Sequence, residues 1–224
     1  MKIQKTKLGS WLYRVGIVAL FFLLIQVPPV AVAIANRHPH NQELAVGLAV
    51  IFVVIFLFII TRARRLYHRY NQLAGGAVNL GLVLLGYLTL IVGMAVFGWL
   101  NQYFFHQTQT ANNEIIRQLL NHNRIITVVF VLSSFTLTPV AEELIFRGLL
   151  TNLFFRPNAL WSKMVLSGIV FSLAHTSTTL VSFLLYCFMG MVLTYVYRQS
   201  GSLKNSILIH GINNFVAVAI MLFR

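Results

Sequence analysis

Two neighbouring glutamates are the residues of this chain whose position most strongly suggests chemistry. Glu142 and Glu143 are two of only four acidic residues, and they lie in the apolar run of residues 139–147. A carboxylate at the centre of a membrane helix costs roughly 2.5–3.5 kcal/mol on insertion scales. Ionisable residues in such a place indicate a functional site, and the alternative is a structural ion pair with Arg147 that only locks helices together.

Helical geometry predicts different roles for the two glutamates. Adjacent helical residues point about 100° apart, so the two carboxylates are not expected to face one small site. Glu143 and Arg147 are four residues apart and share a helix face, which predicts an ion pair between them. Glu142 is then free to act as a base. Pro139, just upstream, is expected to kink the helix.

Two histidines and an amide follow on later apolar segments. His175 ends the sequence Phe171-Ser-Leu-Ala-His175, and His210 lies four residues before Asn214 on one helix face. A lone histidine in an apolar helix is more often a packing residue. Counted from the basic residue at the same end of each segment, however, Glu142, His175, His210 and Asn214 lie ~9–21 Å along their helices. They therefore fall within about one or two helical turns of a common depth.

This set of side chains has the inventory needed to hydrolyse a peptide bond. A carboxylate beside a neutral histidine can take a proton from water, and a second histidine with an amide NH2 can donate hydrogen bonds to an oxyanion. Glu142, His175 and His210 are also ligand types of a catalytic Zn2+ site with water as the open ligand. Their spacing is not the short His-x-x-x-His of one helix, so the use of a metal stays open.

The composition is that of an integral membrane protein. Hydrophobic residues make up 58% of the chain and charged residues 9%, whereas a soluble domain is about a quarter charged. The net charge of +13 is concentrated in short basic stretches between apolar runs, including Lys2, Lys5 and Lys7 at the start. This is the positive-inside pattern, which favours anionic lipids as partners and argues against nucleic acid. The single cysteine, Cys187, excludes an intrachain disulfide framework.

We predict an all-α, polytopic membrane protein of about seven transmembrane helices. The predicted spans are residues 11–35, 44–60, 77–100, 125–155, 161–176, 180–197 and 203–223. Pro28-Pro29 should bend or end the regular part of the first span, which we expect to stay uncleaved. Residues 61–70 are predicted as an arginine-rich loop, and residues 101–124 as a polar connection with a short interfacial helix.

The positive-inside rule orients these spans. With a cytoplasmic N-terminus, the strongly basic stretches and both later basic turns, residues 156–163 and 198–204, fall on one side. The chain then divides into N-terminal transmembrane helices, residues 1–124, and a catalytic core, residues 125–224. A multi-pass protein of a bacterial plasma membrane is the favoured location.

Three motifs on successive apolar segments resemble those of a known family. Glu142-Glu143-x-x-x-Arg147, Phe171-x-x-x-His175 and His210-x-x-x-Asn214, in this order, are similar to the motifs of the CPBP family. These are the CAAX proteases and bacteriocin-processing enzymes, also called Abi intramembrane proteases. The resemblance covers about residues 125–223, and each motif alone is weak.

The resemblance implies an intramembrane endopeptidase that cuts a membrane-associated peptide or protein. By similarity, Glu142 and His175 activate water, His210 and Asn214 stabilise the oxyanion, and Glu143, Arg147 and Phe171 support the site. Bacterial relatives are commonly described as metalloproteases, and some are linked to bacteriocin self-immunity or to peptide-signal processing.

Two other functions compete with this hypothesis. The chain could confer immunity or regulation by binding a partner without catalysis. Alternatively, a proton-coupled transporter could use the same glutamate and histidine groups as a relay. Such a transporter usually shows inverted internal repeats, and none is visible in this sequence.

Overall fold

The structure, a computed structural model, describes residues 7–120 and 123–223. Within these residues the fold is entirely helical, as predicted. The α-helices are α1 Lys7–Leu24, α2 Val27–Arg37, α3 Gln42–Tyr70, α4 Leu80–Phe105, α5 Ala111–Leu119, α6 Arg124–Phe135, α7 Leu137–Glu142, α8 Leu150–Phe154, α9 Leu160–Leu173, α10 Leu180–Ser200 and α11 Leu203–Phe223. A π-helix, π1, runs through Glu143–Leu149 between α7 and α8.

The chain is a multi-pass membrane protein, but the described residues contain fewer full spans than the seven predicted. Five helices are long and apolar enough to cross a membrane, and a sixth crossing is a bent pair, Arg124–Phe135 with Leu137–Phe154. Helix α9 has 14 residues, or ~21 Å at 1.5 Å per residue, against a hydrocarbon core of ~30 Å. The apolar run at 161–176 is therefore too short for a full span, because its last residues leave the helix.

The arginine-rich segment 61–70 is helical, which corrects the predicted loop. Helix α3 continues without a break from Gln42 to Tyr70. Arginine and leucine are good helix formers, so a helix need not end where its sequence becomes polar. The basic side chains are thus presented on a rigid extension of the second span.

Two proline sites shape the helices where the sequence predicted them. Pro28 and Pro29 lie in the first turn of α2, where the first span divides into α1 and α2. Pro139 lies near the 47° bend between α6 and α7. Proline has no N–H for the carbonyl four residues earlier, which here is that of Phe135. Gly211 of α11 lies against this carbonyl, since a Cβ on Gly211 would come within 2.9 Å of it.

The two ends of the bundle are distinguished by their contacts. At one end Arg14 donates to the carbonyl of Leu153, Gln72 donates to that of Asn152, and Lys163 donates to Gln72. At the other end the amide of Asn112 donates to the carbonyl of Thr176. The described basic segments share the first end, as the positive-inside pattern predicted, while Lys2 and Lys5 lie outside the described residues.

Glycines bring α9 and α10 into close contact beside the motif residues. A Cβ on Gly168 would come within 2.6 Å of the Cys187 carbonyl, and one on Gly190 within 2.7 Å of the Gly168 Cα. Such small residues let membrane helices approach closely. The contact places the Phe171 side chain beside Arg147, and Cys187 is buried there.

Candidate active site

The two glutamates lie where the helix changes its winding. Glu142 ends α7, and Glu143 begins π1. All residues of π1 are buried, and a short π-helical stretch inside an α-helix is frequent at functional sites. The polar groups of this turn are therefore inside the helix bundle and do not face lipid.

Glu143 and Arg147 form the predicted ion pair. Arg147 Nη1 lies 2.9 Å from Glu143 Oε1, and both side chains are 0% exposed. Arg147 also lies over the ring of Phe171, with Cζ 4.4 Å from the ring centroid, and its Nη2 donates to the Gly190 carbonyl at 3.4 Å. The pair joins π1 to α9 and α10.

His210 contacts both glutamates, which corrects the expectation that they face different sites. Its Nδ1 lies 3.0 Å from Glu143 Oε1, and its Nε2 lies 3.7 Å from Glu142 Oε2. The imidazole fits between the two carboxylates because its nitrogens lie at different edges of the ring.

The contact with Glu143 fixes the hydrogen on His210. A carboxylate oxygen can only accept, so Nδ1 carries the hydrogen of the 3.0 Å contact. Nε2 then accepts in the neutral ring and donates only in the doubly protonated ring. Glu143 therefore sets the orientation and tautomer of His210, because the hydrogen bond made by one ring nitrogen determines which nitrogen carries the hydrogen.

His175 is partly exposed at the end of α9, where its ring is held from two sides. Nδ1 lies 2.8 Å from the Phe171 carbonyl, so Nδ1 is the donor and Nε2 of the neutral ring is free to accept. The ring stacks on Tyr186, with centroids 4.6 Å apart and planes at 20°. The ring of Phe171 also contacts that of His210, so His175 and His210 lie against one phenyl ring.

Asn214 is anchored to the kinked helix. Its Nδ2 donates to the Ser134 carbonyl at 2.9 Å. Ser134 lies in the last turn of α6, where carbonyls lack partners within the helix. One amide hydrogen is used in this contact, and the second is left for another acceptor. The neighbouring Asn213 is buried, and Asn214 is the amide that matches the family motif.

Tyr186 and Ser134 complete the site and were missed from the sequence. The Tyr186 hydroxyl lies 2.8 Å from the Thr110 hydroxyl at the start of α5, so α5 is connected to His175 through Tyr186. A tyrosine in the middle of an apolar span needs a hydrogen-bond partner, and that need is the signal that could have identified it. Ser134 acts through its backbone carbonyl, for which a sequence carries no signal.

The use of a metal ion, which the residue types left open, depends on whether three ligating side chains come together. The described residues include no group of three or more His, Cys, Asp or Glu side chains placed to hold a metal ion. Nε2 of His210 faces Glu142, and the contact of its Nδ1 with Glu143 is one that metal-bound histidines also make. Because the described residues hold no such group of ligands, the reaction proposed below is written without a metal ion.

Comparisons with known proteins point to the same part of the chain. Residues 124–216 match the family described as "Type II CAAX prenyl endopeptidase Rce1-like". The chain is also 24% identical over 184 residues to the UPF0177 protein YbdI of Lactococcus lactis, covering 80% of this chain and 94% of that protein. No solved structure matches. The matched segment begins with α6 and contains all three motifs, so the predicted resemblance to the CPBP family is confirmed over residues 124–216.

Proposed function

We propose that this protein is an intramembrane endopeptidase that hydrolyses a peptide bond of a membrane-associated peptide or protein. The observation that carries the proposal is the buried His210 held between Glu142 and Glu143. The match of residues 124–216 to the Rce1-like family supports a protease-type activity in the membrane. Two carboxylates and an imidazole in an apolar bundle are costly, and proton transfer explains their presence better than packing does.

Glu142 and His175 are the residues proposed to activate water. Glu142 Oε2 is buried and has no hydrogen-bond partner among the described protein groups. The His175 Nε2 is free to accept because Nδ1 is occupied by the Phe171 carbonyl. A water molecule between them gives one proton to Glu142 while the water oxygen attacks the peptide carbonyl carbon. The carbonyl π electrons move to oxygen and form a tetrahedral oxyanion.

His210 and Asn214 are proposed to stabilise that oxyanion. Nε2 of doubly protonated His210 and the second amide hydrogen of Asn214 are the donors available. Hydrogen bonds to a developing oxyanion in a water-poor site lower the barrier most when the donors are already positioned. The intermediate then collapses, the C–N bond breaks, and the protonated Glu142 gives its proton to the leaving amine.

Glu143, Arg147 and Phe171 are proposed to support these groups. Glu143 orients His210 through Nδ1, and Arg147 neutralises the Glu143 carboxylate. Phe171 lies between Arg147, His175 and His210. Its ring centroid is 5.7 Å from that of His210 and 4.3 Å from that of His175. Its apolar ring also excludes water from the ion pair.

The proposed setting is a bacterial plasma membrane with the basic end of the bundle in the cytoplasm. The described arginine-rich segments lie together at that end, which supports the orientation. The physiological role proposed is self-immunity to a bacteriocin or the processing of a peptide signal.

The test compares membranes of cells that express wild-type protein, Glu142→Gln or the control Glu114→Gln, which alters an exposed acid of α5. N-terminal labelling and mass spectrometry identify new protein ends. We expect new ends with wild type and Glu114→Gln and none with Glu142→Gln. If all three samples give the same ends, or if immunity survives alanine at Glu142, His175 and His210, the protein acts by binding and not by cleavage.

A further inference from the structure

The basic end of the bundle contains a cavity of about 460 Å³ that the proposed reaction does not use. Its lining includes three arginines from separate parts of the chain: Arg14 of α1, Arg69 of α3, and Arg156, which follows α8. Arg69 and Arg156 are exposed, and Arg14 is partly buried. A single cavity therefore gathers three positive charges that are distant in sequence.

None of the chain's acidic residues can neutralise these charges. All four acids lie in the described residues, and Glu43, in the first turn of α3, is ~39 Å of helix from Arg69. Glu142 lies ~21 Å of helix from Arg156, and Glu143 is paired with Arg147. Glu114 is on α5, at the opposite end of the bundle. A concave site with three arginines and no nearby carboxylate favours the binding of an anion from outside the chain.

The remaining lining identifies the kind of anion. Tyr70, Phe154 and Phe155 supply aromatic surface beside the arginines. Trp11 and Leu12, on α1 just before Arg14, are more than half exposed, as expected for residues at the membrane interface. A free phosphate has no use for such surface, whereas a phospholipid places its phosphate at the interface and its chains against apolar side chains.

We propose that this cavity binds the headgroup of an anionic phospholipid, with the arginines on the phosphate and the acyl chains along α1 and the aromatic residues. Guanidinium groups recognise phosphate through paired hydrogen bonds. Arg14 is held in place because its Nη1 donates to the Leu153 carbonyl at 2.6 Å. The bound lipid would join α1, α3 and the segment after α8. Helix α8 directly follows π1, which contains Glu143 and Arg147.

The proposal is tested by titrating phosphatidylglycerol, phosphatidylcholine or inorganic phosphate into purified protein in neutral detergent and following the thermal unfolding midpoint. The test variant is Arg69→Gln with Arg156→Gln. The control is Arg37→Gln with Arg117→Gln, which removes the same charge from exposed residues at the other end. Of the three compounds, we expect only phosphatidylglycerol to raise the unfolding midpoint of the wild type and of the control variant.

For the test variant, we expect the half-maximal lipid concentration to rise about 30-fold. Should that variant fold poorly without lipid, Arg156→Gln alone is expected to raise it about fivefold. An equal response of test and control variants would show non-specific charge attraction and overturn the site. Equal stabilisation by inorganic phosphate, or none by phosphatidylglycerol, would overturn the assignment of a lipid.

Discussion

Glu143→Gln is the substitution whose cost follows most directly from the structure. The change keeps the shape of the side chain but removes the negative charge, and Arg147 remains 0% exposed without its 2.9 Å partner. Breaking a buried ion pair by removing one partner costs about 3–5 kcal/mol, because an uncompensated charge is left inside. We expect the free energy of unfolding, measured by SDS titration in mixed micelles, to fall by that amount.

Two companion variants separate this charge effect from general disturbance. Glu142→Gln, one residue away, alters a carboxylate oxygen that makes no hydrogen bond to the described protein groups and whose contact with His210 Nε2 is 3.7 Å long, so we expect a smaller loss of stability than for Glu143→Gln. Arg147→Met combined with Glu143→Gln removes both charges. The stability lost by this double variant should be smaller, by ~0.5–3 kcal/mol, than the sum of the losses of the two single variants. Strict additivity, or an unchanged stability of Glu143→Gln, would refute the electrostatic account of the pair.

Three further predictions concern catalysis by the purified protein. His175→Gln is expected to slow cleavage by a factor of ~10²–10⁴ without unfolding the protein, since the acceptor nitrogen is lost; a normal rate would remove His175 from the reaction. Tyr186→Leu should slow cleavage more than Tyr186→Phe, because only the former loses the stacked ring on His175; an equal effect would assign the role to the hydroxyl. Cleavage should persist in 1,10-phenanthroline, because the described residues include no group of three or more ligating side chains placed to hold a metal ion; inhibition that added Zn2+ reverses would establish a metal.

Several features of the fold were predictable because they depend on local chemistry. Proline lacks an N–H, so the breaks near Pro28 and Pro139 follow from the sequence. The pairing of Glu143 with Arg147 follows from their spacing, and the convergence of His210 on the glutamates follows from their depth along the spans.

Other features depend on tertiary contacts that a sequence does not display. The π-helix that begins at Glu143 is not readable from residue types, and the contact of one imidazole with both carboxylates needs the packed helices. The stacking of Tyr186 on His175 and the anchoring of Asn214 on a backbone carbonyl need the packed helices. The extension of α3 through residues 61–70 shows that a polar sequence marks the edge of a span without ending its helix.

The central claim, that Glu142 is the base of a peptidase, is tested most directly with purified protein in liposomes. A peptide spanning a bond identified by N-terminal labelling is incubated with wild type or with folded Glu142→Gln. The account predicts that the initial cleavage rate falls by a factor of ~10²–10⁴ in the variant. An undiminished rate in folded Glu142→Gln would contradict it.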